Sequence, residues 1–271
     1  MRQFPGGNRA YPRSPLQLGD VEFAEVLRER RASRRLSQLE LALRAGTTQR
    51  HLSFIESGRS APGREMVIRL SESLGLPLRE RNELLLKAGY APAYPETPLD
   101  ASAIAPVMDA LDHILDGHMP YPAIVIERSG ELVATNGAVE ILFDGCAAEL
   151  LAAPANAYRI ALHPEGMAPR IANFAEWARH VLEGIRADLD RSPDDGLAVL
   201  YEELSRYVPP ARPKPGHLGF AVPLELRSDR GELHLMTTIM SFATAVDVTV
   251  SELKLEAFLP ADPSTAAILM S

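Results

Sequence analysis

The side chains with the clearest chemical potential in this sequence stand between Thr48 and Arg59. Gln49 and Arg50 are adjacent, and at 100° per residue they share one side of a helix with Ser53. A carboxamide can form two parallel hydrogen bonds with adenine, and a guanidinium can form two with guanine. The pattern therefore predicts a helix whose exposed face reads base edges in the major groove of DNA.

Such a helix must be held by a second helix and a tight turn, and the preceding residues supply both. Ser37 and Glu40 have the spacing of a capping box, which begins a helix. Gly46 stands where the chain must turn, Thr48 is a good N-cap for the next helix, and Gly58 can end it. Together these features predict a helix-turn-helix.

Residues 21–90 resemble the lambdoid phage repressor and Cro class, often named XRE-type regulators. The residues that carry this resemblance are Gln38, Ala42, Gly46, Thr47, Thr48, Gln49, Leu52, Ile55, Glu56 and Gly58. The resemblance implies an all-α DNA-binding domain that acts on double-stranded DNA.

The resemblance also implies individual roles. The residues expected to hold phosphates at helix ends are Gln38, Thr48 and Ser57. Those expected to read base edges are Gln49, Arg50 and Ser53, and Arg59 is expected to contact DNA as well. Phe54 either touches a thymine methyl group or packs on the rim of the domain. Arg31 and Glu56 occupy the positions of an ion pair that ties the first helix to the recognition helix; otherwise they form a surface pair that contributes little.

The charge of the chain is divided unevenly along its length. The whole chain has a net charge of −8, which by itself argues against a polyanionic partner. Residues 1–95 hold 16 Lys and Arg against 10 Asp and Glu, hence +6, and residues 96–271 hold the other 12 against 26, hence −14. A basic domain joined to an acidic one fits local phosphate binding. We expect one or two arginines of the cluster at residues 28–35 to touch the DNA backbone.

Composition and periodicity predict two domains preceded by a short arm. Asp20 can cap a first helix, and five helices, the last ending near Gly89, form an all-α domain over residues 20–90. Residues 1–19 contain arginines but no apolar stretch, so we expect a flexible arm rather than a signal peptide. The Pro- and Tyr-rich run after Gly89 predicts a linker over residues 91–103.

Residues 104–265 are predicted to form an α+β domain, followed by a C-terminal tail at residues 266–271. Helices are expected near residues 104–116, 137–143, 171–186 and 197–204, and strands in residues 123–136, 218–226, 232–242 and 249–258. This order suits an antiparallel sheet with helices on one face. The hairpin that precedes Asn136 and a helix resembles the opening of PAS-type sensor domains.

The order of segments resembles the MmyB-like regulators, in which an XRE-type domain precedes a ligand-binding domain of PAS-like fold. The matching segments are HLSFIESGRSAPGREM, LRERNELLLKAGYAP, PYPAIVIERSGELVATN, NAYRIALHPEGMAPRIANFAEW and DVTVSELKLEAFLPAD. The resemblance implies a transcription factor whose second domain encloses a small apolar effector. The family suggests that this effector is a fatty-acid-like molecule. Nothing in this sequence itself selects a lipid over another apolar metabolite.

A cavity for such an effector should be mostly apolar with a few polar anchors. The residues expected near it are Asn136, His163, Phe174 and Trp177. Three of them have a plainer structural interpretation: Asn136 can cap a turn, His163 can be a hydrogen-bonded structural residue, and Trp177 can belong to the core.

Several function classes are disfavoured by the sequence. It contains no nucleophile elbow, phosphate-binding P-loop, HExxH motif or cysteine pair, so we expect neither an enzyme nor a required cofactor or metal. The single cysteine, Cys146, excludes an intrachain disulfide and fits the reducing cytoplasm. No run of 18 apolar residues occurs, so we expect no membrane insertion.

The sequence therefore predicts a cytoplasmic, DNA-binding transcriptional regulator that acts as a homodimer, because one helix-turn-helix covers too few base pairs for high specificity. Two alternatives remain open. One is a protein-interaction adaptor that does not read DNA, and the other is a cofactor-dependent sensor enzyme.

Overall fold

The computed structural model describes residues 18–209, 222–242 and 244–271. The chain divides into two compact units, Met1–Pro95 and Glu96–Ser271. Most of the predicted N-terminal arm, residues 1–17, lies outside the described residues.

The first unit is built from the five predicted helices. They are α1 (Leu18–Ser33), α2 (Gln38–Arg44), α3 (Gln49–Glu56), α4 (Arg64–Ser73) and α5 (Leu78–Lys87). The helix α1 begins two residues before Asp20, so the prediction of a cap at Asp20 is wrong. The helices enclose one apolar core, in which Leu27, Leu52 and Leu70 are fully buried. This confirms the all-α class of the domain.

Local polar groups define the ends of α2 and α3. The Glu40 amide donates to the Ser37 hydroxyl over 3.1 Å, and the Ser37 amide donates to the Glu40 carboxylate over 2.7 Å. This confirms the capping box, and the hydrogen bond from the Ser37 amide lowers the pKa of Glu40. Thr48 caps α3 by accepting from the His51 amide, and Gly46 turns the chain with φ of +63°.

The chain that follows α5 is fastened to the first unit. The buried Asn82 carboxamide accepts hydrogen bonds from the amides of Ala93 and Tyr94 and donates to the Tyr94 carbonyl over 2.7 Å. Residues 93 and 94, which fall in the predicted linker, are thus held in place by α5.

The second unit contains a five-stranded antiparallel sheet. Its strands are β1 (Ala123–Ile126), β2 (Leu132–Thr135), β3 (Leu224–Ser228), β4 (Gly231–Ser241) and β5 (Lys254–Pro260), arranged in the order β2-β1-β5-β4-β3. The central β5 pairs Glu256 with Ile124 on one side and with Ile239 on the other. The sheet and its helices confirm the predicted α+β class.

The helices of the second unit are α6 (Ala105–Gly117), α7 (Glu140–Phe143), α8 (Ala148–Leu151), α9 (Ala157–Leu162), α10 (Phe174–Arg191), α11 (Asp195–Ser205), α12 (Val248–Glu252) and α13 (Pro263–Met270). The main core lies between one sheet face, which carries Ile124 and Phe258, and helices such as α10. A smaller core lies on the opposite face, where Leu111 and Leu115 of α6 pack near Val125 of β1.

Three predicted boundaries differ from the structure, and part of a fourth predicted element cannot be compared with it. Ile171 lies before α10 and forms a bridge with Leu226 of β3, so the helix begins three residues later than expected. The first half of the predicted strand at residues 249–258 is α12. The expected tail at residues 266–271 is mostly part of α13, which buries Leu269 in the core. Residues 218–221 of another predicted strand lie outside the described residues.

Candidate functional site

The helix α3 is anchored by one face and exposed on the other. Leu52 and Ile55 are buried in the core of the first unit. On the opposite side, Gln49 and Arg50 are exposed in the first turn, and Ser53 is half-buried one turn later. The structure therefore brings the three predicted base-reading residues together on one helix face.

Phe54 supports the side chain of Arg50. The Arg50 guanidinium carbon lies 5.4 Å from the centre of the half-buried Phe54 ring, within the range of a cation–π contact. The ring thus contacts the guanidinium of an arginine that remains exposed to solvent. This placement is compatible with both predicted roles of Phe54, contact with a thymine methyl group and packing on the rim.

Arg31 and Glu56 confirm the predicted ion pair between α1 and α3. The Arg31 guanidinium donates two hydrogen bonds to the Glu56 carboxylate, over 2.6 and 2.9 Å. Gln38 of α2 donates a third over 2.8 Å. Glu56 is 4% exposed, so the interpretation as a surface pair is wrong. The hydrogen bond to Glu56 raises the pKa of Arg31, and the network fixes the C-terminal end of α3.

The residues predicted to hold phosphates lie at both ends of α3. Thr48 is exposed at the N-terminus, where its hydroxyl already accepts from the His51 amide. Ser57 is exposed at the C-terminus and donates to the Phe54 carbonyl, and Arg59 is exposed two residues further on. Gln38 uses one amide hydrogen on Glu56, which leaves the second for a phosphate.

The arginine cluster at residues 28–35, at the end of α1, is only partly available to DNA. Arg31 is committed to Glu56, and Arg30 lies 3.3 Å from the buried carboxylate of Glu80. Arg34 donates to the Arg30 carbonyl, and burial lowers the pKa of Arg34. Two further members of the cluster, Arg28 and Arg35, are exposed.

The second unit encloses a cavity of about 340 Å³ between the sheet and α10. Trp177, Val181 and Ile185 of α10 line one side at helical spacing, and Ile124 and Phe258 line the other side from the sheet. The volume falls within the range of roughly 300–1,000 Å³ that is usual for small-molecule sites. These walls are apolar and suit an apolar ligand.

One part of the cavity wall is polar. It is formed by Tyr158 of α9, Asp188 and Arg191 of α10, and Lys254 and Glu256 of β5. Asp188 accepts from Lys254 and also from Arg191, the latter over 2.9 Å. Burial raises the pKa of Tyr158 and that of Glu256, so the phenol keeps its proton and the carboxylate is costly to ionise.

The four predicted ligand residues do not converge on this cavity. Trp177 lines it, and it is 6% exposed. Asn136 is buried elsewhere, where its side-chain oxygen accepts from the Ala123 amide and its nitrogen donates to two carbonyls. His163 accepts from the Glu165 amide and packs edge-on against a tyrosine ring. Phe174 packs against the core one turn before Trp177.

Asn136, His163 and Phe174 thus lie outside this cavity wall, and of the four predicted ligand residues only Trp177 lines it. The prediction also missed Tyr158, Lys254 and Glu256. Lys254 and Glu256 alternate along β5 with the buried Leu255 and Ala257, a pattern that would ordinarily indicate a solvent-exposed strand face. Because the helix α10 covers that face, the polar residues line a cavity instead.

Two further features of the described residues bear on chemistry. Within residues 18–209, 222–242 and 244–271, no group of three His, Cys, Asp or Glu residues is placed to hold a metal ion. Cys146 is half-buried, and burial raises the pKa of its thiol.

No helix in the described part of the chain combines the length and the apolar character that are needed to cross a membrane.

Comparison with protein families assigns both units. The profile of the MmyB-like transcription regulator ligand binding domain matches residues 107–271, more than half of the chain, and includes the whole cavity wall. A helix-turn-helix profile matches residues 27–81, which include α2 and α3. No curated protein matches the chain.

Proposed function

Because the chain belongs to the MmyB-like transcription regulators, we propose that α3 reads base edges in the major groove and that the cavity of the second unit holds a small, mostly apolar effector. Membership in this family makes the protein a DNA-binding regulator with a ligand-binding domain. Beyond this, we propose which groove of the DNA α3 enters, which of its residues contact the bases, and what kind of molecule the effector is.

The exposed first turn of α3 carries the DNA-reading part of the proposal. Gln49 and Arg50 offer hydrogen-bond donors suited to adenine and guanine, and neither side chain is buried against the protein. Leu52, Ile55 and the Arg31–Glu56 pair hold the opposite side of the helix. A helix that is held in place on one side and that exposes a carboxamide and a guanidinium on the other is suited to direct base readout.

Phosphate contacts at both ends of α3 would set its register in the groove. We assign them to Thr48, Ser57 and Arg59, which are exposed at the two ends of the helix, with Gln38 as a further contact. Such contacts position a protein on DNA without distinguishing sequences.

The DNA-bound form is proposed to be a homodimer. Two copies of α3 spaced about one helical turn of DNA, roughly 34–36 Å, would double the number of base pairs that are read. Binding of the effector would then regulate transcription only if it favours one of two arrangements of the paired DNA-binding units.

Selection from random DNA duplexes tests this proposal. We expect the wild-type protein to enrich a motif with two related half-sites whose centres lie about one helical turn apart. The double variant Gln49→Ala/Arg50→Ala, which leaves the buried face of α3 intact, should enrich no motif. A wild-type protein that binds all duplexes equally would contradict the proposal and would favour an adaptor role.

The effector is proposed to resemble a fatty acid in its apolar body. The apolar walls around Trp177 and Phe258 support such a chain. Extraction of the purified protein with organic solvent, followed by mass spectrometry, should release a molecule of this kind. Ala161→Phe, which fills part of the cavity wall, should reduce the amount released, and equal release from both proteins would contradict binding in this cavity.

A further inference from the structure

The carboxylate of Glu256 on β5 and the hydroxyl of Tyr158 on α9 lie in the cavity wall and have no hydrogen-bond partner among the described residues. The side chains of Thr237 and of the exposed His180, also in the wall, have none either. Glu256 and Tyr158 are both half-buried, and an apolar ligand that displaces water from the cavity would leave their oxygens in need of a hydrogen-bond partner. Their position beside an apolar cavity indicates that a bound molecule provides the missing partner.

The cationic side chains of Lys254 and Arg191 in the same wall already form ion pairs. Lys254 and Arg191 both donate to the carboxylate of Asp188. With Glu256 ionised, these four side chains carry two positive and two negative charges, so the polar wall is electrically balanced. The remaining titratable group, His180 of α10, is exposed at the cavity edge.

This balance disfavours an anionic ligand. A carboxylate bound beside Glu256 would place two negative charges close together in a region with little water, and like charges in such a region repel strongly. A neutral group that donates a hydrogen bond would satisfy Glu256 without disturbing the balance.

We infer that the effector has a neutral polar end, a hydroxyl or primary amide, that donates a hydrogen bond to the Glu256 carboxylate. The Tyr158 hydroxyl, in the same cavity wall, would donate to the oxygen of the same end. This inference rests on the proposed function, in which the cavity holds the effector, and it specifies the chemistry of one end of that molecule.

Three probes with the same ten-carbon chain test the inference on the full-length protein. 1-Decanol has a donor, its methyl ether keeps the oxygen but lacks the donor, and decanoate is anionic. Because Trp177 is the single tryptophan and lines the cavity, its fluorescence can report binding. We expect decanol to bind about tenfold or more tightly than the ether, as hydrogen bonds to charged groups imply.

The variant Glu256→Gln assigns the effect to this side chain. Glutamine keeps the shape and an acceptor oxygen but loses the charge, so the preference for decanol over the ether should fall to about threefold. Decanoate should bind more tightly to the variant than to the wild type. Glu232→Gln, the same change at an exposed position of β4, should leave all three affinities unchanged.

The comparison between decanol and its ether in the wild-type protein needs no variant and therefore remains decisive if Glu256→Gln fails to fold. Equal affinities for decanol and the ether, or decanoate as the tightest ligand, would overturn the inference while leaving an apolar effector in place. Failure of all three probes to bind would overturn the inference together with the effector part of the proposed function. Selection of a DNA motif would still stand in that case, so the two failures are distinguishable.

Discussion

Two glutamates in this protein differ in their surroundings and in their hydrogen bonds. Glu56 is buried and accepts three hydrogen bonds, two from Arg31 and one from Gln38. Glu256 lies in a cavity wall and accepts none from the described residues. The first arrangement holds the helix α3 in place, as expected for a structural residue. The second leaves the Glu256 carboxylate able to accept a hydrogen bond from a ligand, as expected for a ligand-binding residue.

Removal of the Glu56 carboxylate should destabilise the first unit. Glu56→Ala leaves Arg31 partly buried without its partner, at a cost of about 3 kcal/mol in the free energy of unfolding. Urea unfolding followed by far-ultraviolet circular dichroism should show this loss. The fluorescence of Trp177, which reports only the second unit, serves as the control.

The double variant Arg31→Met/Glu56→Met should recover part of that loss, because it removes both charges together. A single variant as stable as the wild type would show that the pair contributes little despite its burial.

The titration of Glu256 should make the second unit less stable as the pH rises. Burial raises the pKa of Glu256 in the folded protein above its unfolded value, so the folded state binds the additional proton. The stability that comes from the protonated form is therefore complete below the pKa that Glu256 has in the unfolded chain. It is lost as the pH rises through the pKa that Glu256 has in the folded protein. Because glutamine does not titrate, Glu256→Gln should not lose stability in this way.

Unfolding of the wild type and Glu256→Gln in urea at about pH 4 and about pH 8 measures the effect. With Trp177 fluorescence as the probe, the variant should gain stability relative to the wild type at the higher pH. A stability difference between the two proteins that does not change with pH would show that Glu256 titrates normally.

At the scale of elements, the position of α3 depends on the turn before it. Gly46 has φ of +63°, and a Cβ atom added there would meet only an Arg69 nitrogen at 3.7 Å, an ordinary contact. Gly46→Ala should therefore cost about 1–2 kcal/mol for conformational reasons alone.

Asparagine tolerates this conformation better than alanine, so Gly46→Asn should cost less. Urea unfolding monitored by circular dichroism compares the two variants. Equal stability of both variants and the wild type would mean that the turn can relax to a different conformation.

The elements that the sequence predicted well are those with a local cause. The capping box at Ser37, the turn at Gly46 and the apolar spacing of Leu52 and Ile55 are each contained within a few residues. Even the Arg31–Glu56 pair could be named in advance, because a family resemblance connects positions that are distant in sequence.

The elements that were missed depend on distant contacts. The helix α12 is capped by Asp247, whose carboxylate is held by the hydroxyl of the distant Thr97 over 2.6 Å, although residues 249–253 had been predicted as part of a strand. Ile171 has helical spacing to Phe174, but it pairs with Leu226 instead. Local pattern alone does not contain this information.

The candidate ligand site was the least predictable feature. Trp177 was identified because a large aromatic residue on an amphipathic helix belongs in a core or a cavity wall. Glu256 resembles a solvent-exposed residue of an alternating strand until the position of α10 is known. Asn136 was favoured because of its place after a hairpin, where it in fact holds the backbone of Ala123 and Tyr121.

At the scale of the whole molecule, DNA binding and effector binding should influence each other. The first 95 residues carry a charge of +6 and the remainder −14, so the unit that is proposed to bind DNA is the basic one. If the effector regulates DNA binding, thermodynamic linkage requires the same coupling factor in both directions.

We expect saturating 1-decanol to change the affinity for the selected operator by about 5- to 150-fold, and operator DNA to change the affinity for decanol by the same factor. Fluorescence titrations in both orders measure the two factors. Glu256→Gln, with weakened decanol binding, should need more decanol for the same effect. Identical operator affinity with and without decanol would show that the two sites act independently.

Single-base variants of the selected operator show most directly whether α3 reads bases through Arg50. Arg50→Ala should lose about 1–3 kcal/mol of specific binding and should become indifferent to the base at one position. Arg59→Ala should weaken binding to every variant by a similar factor, because a phosphate contact carries no sequence information. If Arg50→Ala instead retains both the affinity and the full base preference of the wild type, α3 does not read DNA in the way proposed.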